Sequence, residues 1–306
     1  MRIVNIIERS VPLEGAISNA VVSFTDHDVS LVAVVSDVIR NGRPVIGFGF
    51  NSIGRYAQRG ILRDRIIPRL KAAAPHALLD ASGKAFDPAK VLALALTNEK
   101  PGGHGDRAGA IAAVELAFWD LNAKLADEPA YLTIARAAGR SEVQQAVPVY
   151  AAGGYYYPQG SGKTLTDELL GYRDQGFDAF KIKIGGAPMA ADLARIEEAL
   201  VIAGSGKRLS VDANGRFDID AALAYARAIE GYDLRWYEEV GDPLDYDLNR
   251  QLTELYTRPV ATGENLFSRQ DVKNLLLFGG QRPGHDIFQM DAGLSYGLTE
   301  YMAMLD

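Results

Sequence analysis

The chain has no cysteine, which excludes disulfides and thiolate metal centres. Histidine is scarce, four residues in 306, and the four are not clustered. Positive charge is in deficit: 32 lysines and arginines stand against 39 acidic residues, for a net charge of −7. That balance argues against nucleic acid or an anionic membrane surface as partner, since both demand basic patches. No apolar run approaches the roughly 18 residues of a membrane span. The opening MRIVNIIERSVPL alternates charged with apolar residues and reads as neither signal peptide nor anchor. A soluble, cytoplasmic protein is the expectation.

What the chain does have is an ordinary globular composition, 48% hydrophobic and 23% charged, at a length that suits a barrel-sized domain plus a smaller one, or two ordinary domains. Strand patterns fall at 2–9, 20–26 and 30–39. The turn residues NGRP at 41–44 lead into VIGFGFN at 45–51, completing a hairpin. Helical periodicity follows over 58–72, 88–97 and 108–127, the last Ala-rich and apolar on both sides. Between the last two lies NEKPGGHGDR, 98–107. It reads as a connector, or as a loop whose Lys100, His104 and Arg107 reach an anionic ligand. Residues 1–130 are therefore expected to form an α+β domain, with a linker at 131–145.

From 146 to 306 strand and helix alternate. Strands read at 147–154, 179–186, 208–215, 235–240, 259–264 and 286–291, with helices such as 190–203, 219–230, 246–256 and 268–277 in the gaps. This alternation means a parallel sheet, doubly wound or closed as a barrel.

The segment AFKIKIGG, 179–186, places Lys181 and Lys183 on one face of a strand. Taken alone, it is also the pattern of an exposed edge strand carrying charged gatekeepers. If the lysines sit side by side, each eases loss of the other's proton. Lys183 is followed by Asp212, Glu238, Glu264 and Asp291, at intervals of 29, 26, 26 and 27 residues. Each interval is one β/α unit, and each unit ends its strand with an ionisable group. In a (β/α) barrel all those ends converge on one mouth, whereas a doubly wound sheet spreads them along a line. Acids at helix starts also serve as caps, but three successive acids facing a lysine pair fit the barrel better. Three carboxylates on neighbouring strands make a hard-oxygen site suited to Mg²⁺.

The motifs KIKIGG, VDANGRF, WYEEVGDPLDY, ATGENLFS and DIFQMDAGLSYG resemble the enolase superfamily, mandelate racemase subgroup. NEKPGGHG, YAAGGYYYP and GFNSIGRY add a likeness to its tartrate dehydratases. The resemblance implies a capping domain before a TIM-type barrel, with Asp212, Glu238 and Glu264 as Mg²⁺ ligands. It makes Lys183 the base that removes the proton α to a carboxylate, with Lys181 as its electrostatic partner. Asn214 shares a face with Asp212 and is a candidate for orienting substrate or metal water. Asp291 would hold an acid histidine on a seventh strand. That histidine is not among His27, His76, His104 and His285, and the barrel reads as truncated after its sixth strand, so a longer native polypeptide is expected. Lys100, Asn51, Arg55 and Tyr155 are candidate substrate contacts.

The reaction implied is Mg²⁺-dependent dehydration of a small 2,3-dihydroxy acid, D-tartrate first, to a 2-keto acid, by a homo-oligomer. Dehydration or epimerisation of another acid sugar is an alternative. A non-catalytic ligand-binding barrel is another.

Overall fold

The computed structural model describes residues 1–52, 55–158 and 160–306. It opens with a three-stranded antiparallel sheet, β1 (Ile3–Pro12), β2 (Asp28–Arg40) and β3 (Arg43–Phe50), in sequential order. Asn41 and Gly42, both at positive φ, make the β2–β3 hairpin turn, as asparagine and glycine permit. The strand expected at 20–26 does not form. Asn19 Oδ1 instead accepts from the backbone N–H groups of Val21 and Val22, closing a turn that leaves only an isolated bridge, Ser18 to Ser23. A short polar side chain outcompeted the β-branched pair beside it.

Helices follow in the order α1 (Arg59–Ile61), α2 (Ile67–Ala72), α3 (Pro88–Ala95), α4 (Asp106–Ala126) and α5 (Ala130–Ala137). A π-helical stretch, Leu62–Ile66, joins the first two. The segment expected as a linker from 131 thus begins inside a helix. Helix α4 lies directly on β3: a Cβ at Gly47 would stand 2.0 Å from the Ala117 carbonyl oxygen, and one at Gly49 2.3 Å from that of Ala113. Val32, Val34, Ile66, Leu70, Ile111, Val114 and Phe118 form the core between sheet and helices.

The second sheet has six strands, all pairings parallel, in the order β4 (Ala151–Gly153), β5 (Phe180–Lys183), β6 (Leu209–Asp212), β7 (Trp236–Glu238), β8 (Val260–Thr262) and β9 (Ile287–Phe288). Between them run α6 (Leu165–Asp174), α7 (Met189–Ala203), α8 (Ile219–Ile229), α9 (Tyr246–Leu255) and α10 (Arg269–Phe278); α11 (Leu298–Leu305) follows β9. Among the described residues the strand order never reverses, as in a singly wound barrel and unlike a doubly wound sheet. The hydrogen-bonded strands are shorter than the apolar patterns suggested, with two to four residues each. In β5 and β6 every residue is buried, which disposes of the exposed-edge reading of the two lysines.

The layers are tied through Glu115 on α4. Its carboxylate is fully buried and accepts from the backbone N–H groups of Leu298 and Thr299, from the Thr299 hydroxyl and from Trp119 Nε1. A side chain of the first unit thereby caps a helix of the second. Burial raises the Glu115 carboxyl above its ordinary range despite those donors. Among the described residues no helix is long and apolar enough to cross a membrane.

Candidate active site

Parallel pairing sets Lys183 level with Asp212, and Asp212 level with Glu238. Three ionisable side chains from three consecutive strands therefore share one rung, with Lys181 two residues below on the same face. Lys183 Nζ lies 2.6 Å from Asp212 Oδ2, and Lys181 Nζ lies 3.3 Å from that same oxygen while donating to Glu238 Oε1. Both acids are 0% exposed and both lysines 7%. Burying one such charge unpaired costs several kcal/mol, so the four persist together because they cancel.

Burial works against the charged form of each lysine, but the adjacent Asp212, joined at Lys181 by Glu238, leaves both above their ordinary range. The expected easing is present, since the charge of Lys181 works to lower Lys183, but the carboxylates outweigh that like-charge repulsion. Asp212 is held below its usual range: burial opposes this, and the charges of Lys183 and Lys181 overcome it. Glu238 is pushed up to about 7 by burial and by the charge of Asp212 beside it.

Amides complete these carboxylates. Asp212 Oδ1 accepts from the backbone N–H of Asn214 at 2.9 Å, and the Asn214 side chain donates to Oδ2 at 3.4 Å. Asn214, expected on the face of Asp212, thus bonds that acid directly. Glu238 Oε2 accepts from Trp236 Nε1 at 2.7 Å and from Gln289 Nε2 at 3.1 Å. The cluster opens into a cavity of about 470 Å³ lined by Tyr150, Lys181, Glu238, Glu264, Gln289 and Asp291 among others. Four of the expected residues thus meet in one space. Tyr155 places its ring 5.4 Å from Lys183 Nζ and packs edge-on against Phe24.

Other expectations are not met in the same way. Asn51 is fully buried, and its amide accepts from the Ser30 backbone N–H and donates to the Tyr56 carbonyl; it braces the end of β3 and does not reach the cavity. Lys100 is exposed on its loop and is not among the residues lining the cavity. Arg55 donates from Nη2 to Asn265 Oδ1 at 2.7 Å, next to Glu264. Asp291 accepts from the backbone N–H groups of Gly293 and Leu294 and from the Ser52 hydroxyl; no histidine bonds to it among the described residues. His104 instead bonds the Tyr296 hydroxyl, as does Arg107. Gln289, Trp236 and Tyr150 were not singled out in the sequence, because a neutral amide or an aromatic on a strand carries no distinguishing pattern there.

Among the described residues no three acids or histidines stand as ready metal ligands, since Asp212 and Glu238 turn to the lysines. The donor set still suits a hard cation in kind and place. Glu239, buried and at φ 42°, is pushed well above its range by burial and by Glu264 against it. Carboxylates crowded this way are what a bound divalent ion would neutralise.

Residues 164–306 match the model of the family Enolase C-terminal domain-like. This part of the chain is similar to the enolase C-terminal domain. Its curated relatives include the arabinonate dehydratase of Saccharolobus solfataricus, 30% identical over 202 residues, which are 66% of this chain and 51% of that protein. The 3,6-anhydro-alpha-L-galactonate cycloisomerase of Streptomyces coelicolor is 34% identical over 179 residues, 58% of this chain and 46% of its own. The chain spans about half the length of these curated relatives. A crystal structure of a racemase from Streptomyces coelicolor with bound magnesium aligns with a TM-score of 0.76 at 22% identity, covering 99% of this chain and 80% of that one. At that identity the likeness is one of fold, and it takes in the antiparallel unit as well as the parallel-sheet unit.

Proposed function

We propose that this chain carries the catalytic machinery of a Mg²⁺-dependent acid-sugar dehydratase. The observation that supports it is the buried cluster of Lys181, Lys183, Asp212 and Glu238, opening on a cavity that also holds Glu264 and Asp291. The names of the curated relatives, a dehydratase and a cycloisomerase of sugar acids, point to the same substrate class.

In this reading Asp212, Glu238 and Glu264 hold Mg²⁺. A bound ion would supply positive charge next to the substrate carboxylate and neutralise the crowded acids. Lys183 takes the proton from the carbon α to that carboxylate. Lys181 stays beside it as a fixed positive charge. The proton lost from C2 and the hydroxide lost from C3 together make one water, and the remaining enol ketonises to a 2-keto acid. Asn214 holds Asp212 in place, and Tyr155 and Arg55 are kept as candidate contacts for the acid. The finer assignment, D-tartrate to oxaloacetate, rests on the motif resemblance. So do residues 1–130 as a capping domain and assembly as a homo-oligomer.

The test is to incubate the chain with Mg²⁺ and a panel of sugar acids, tartrate, arabinonate and galactonate included, in heavy water. Keto-acid formation and C2 exchange are then followed by NMR. Lys183→Ala is expected to lower C2 exchange about 10²–10⁴-fold, the usual size of a general-base contribution. Exchange undiminished in that variant would remove Lys183 from the role. Inversion at C2 without water loss would replace dehydration by epimerisation.

A further inference from the structure

The two oxygens of Glu238 are treated differently. Oε2 takes both neutral donors, Trp236 Nε1 at 2.7 Å and Gln289 Nε2 at 3.1 Å, while Oε1 faces only a cation, the Lys181 ammonium. Trp236 is two residues before Glu238 on the same short strand, so its side chain shares that face. Gln289 follows the last strand, and its backbone is anchored by a hydrogen bond to the Thr262 carbonyl at 2.9 Å. Both donors therefore stand on fixed backbone. Were they present only to satisfy a buried carboxylate, one donor per oxygen would serve as well. Both on a single oxygen lock the carboxylate's rotation and leave the other oxygen aimed one way.

Gln289 is itself unfinished. Among the described residues its Oε1 is buried without a partner, and Gln289 lines the 470 Å³ cavity. Buried amides kept for packing have both ends paired. This one has its donor on the carboxylate and its acceptor unpaired among the described residues.

We propose that Gln289 and Trp236 are positioning residues that clamp Oε2 of Glu238 and thereby present Oε1 to a divalent cation. The proposal rests on the reading of Glu238 as a Mg²⁺ ligand. Neutral donors suit this role because a charged donor would compete with the ion for the carboxylate. Partners of this kind orient a ligand before the ion arrives, and their loss weakens metal affinity 10–100-fold.

The experiment is Mg²⁺ titration by calorimetry on the unaltered chain, Gln289→Leu and Trp236→Phe, beside thermal melting of each in chelator. Leucine keeps much of the glutamine's bulk and phenylalanine keeps a ring on the strand, so each mainly removes a donor. The expected result is a Mg²⁺ Kd raised 10–100-fold in each variant, with melting in chelator close to that of the unaltered chain. A Kd within about twofold of the unaltered chain in both variants overturns the clamp. So does a fall in melting temperature in chelator without a change in Kd, which marks a structural bond only. If Gln289→Leu fails to fold, Trp236→Phe alone decides. Failure of the unaltered chain to bind Mg²⁺ overturns the underlying ligand reading, and the clamp with it, and is distinguishable from the other outcomes.

Discussion

Glu99 illustrates at the level of one side chain how this protein manages charge. It sits in the glycine-rich loop and receives Arg65, Arg69 and Arg107, its carboxylate 7% exposed. The hydrogen bond from Arg65 does most to bring its carboxyl from the ordinary 4.5 down to about 2, with Arg69 adding to it. A group depressed on folding stabilises fully above its unfolded value and loses that contribution as pH falls through the folded one. The melting temperature should therefore drop between about pH 5 and pH 2, and Glu99→Gln should flatten that part of the profile. Calorimetry across the pH series checks it; an unchanged slope in the variant removes Glu99 as the cause. At this scale the sequence revealed the strand-end acids and the lysine pair, because period-two alternation alone puts Lys181 and Lys183 on one face. Which oxygen each lysine takes was not legible, since that depends on side-chain rotation across neighbouring strands. Asn51 was misplaced for a related reason. An asparagine beside a turn serves backbone and ligand equally well on paper, and here the backbone has it.

The elements were legible where apolar periodicity was long and less so where polar side chains intervened. Helix α4 came through almost residue for residue, and its buried alanines fit a helix pressed against a sheet. The closeness of that contact is set by Gly47 and Gly49, since any Cβ there meets helix backbone. Gly49→Ala should destabilise by about 1–3 kcal/mol, the usual penalty of overpacking, read as a lower urea midpoint with unchanged slope. A midpoint equal to the parent would mean that the helix can retreat without cost. By contrast, the false strand at 20–26 shows a limit of pattern reading. Val21 and Val22 favour a strand, yet the Asn19 side chain offers their N–H groups a closer partner. The barrel strands were overestimated in length because apolar flanks outside the hydrogen-bonded rung are buried too.

For the whole molecule, even spacing of ionisable strand ends distinguished a singly wound sheet from a doubly wound one, and the observed order agrees. What the spacing could not convey is how the two units hold together, because contacts such as Glu115 with α11 join residues 183 positions apart. The loop at 98–107 is held in the same manner. Three of its glycines, Gly102, Gly103 and Gly105, adopt positive φ, yet the Arg107 side chain bonds the Glu99 carboxylate, the Lys100 and Gly102 carbonyls and the Tyr296 hydroxyl. A sequence that looks like a protease's preferred target is thereby guarded. Lys100 precedes proline, a bond trypsin cuts poorly, and Arg107 cannot enter a protease pocket while it grips Tyr296. Nicking after Arg107 should therefore be slow in the native chain and accelerate several-fold in Tyr296→Phe, which leaves the ring but removes the anchoring hydroxyl. Equal rates in the two would mean that the loop opens by itself. If they differ, the rate of that single cut becomes a clock for how often the two halves of the molecule let go of each other.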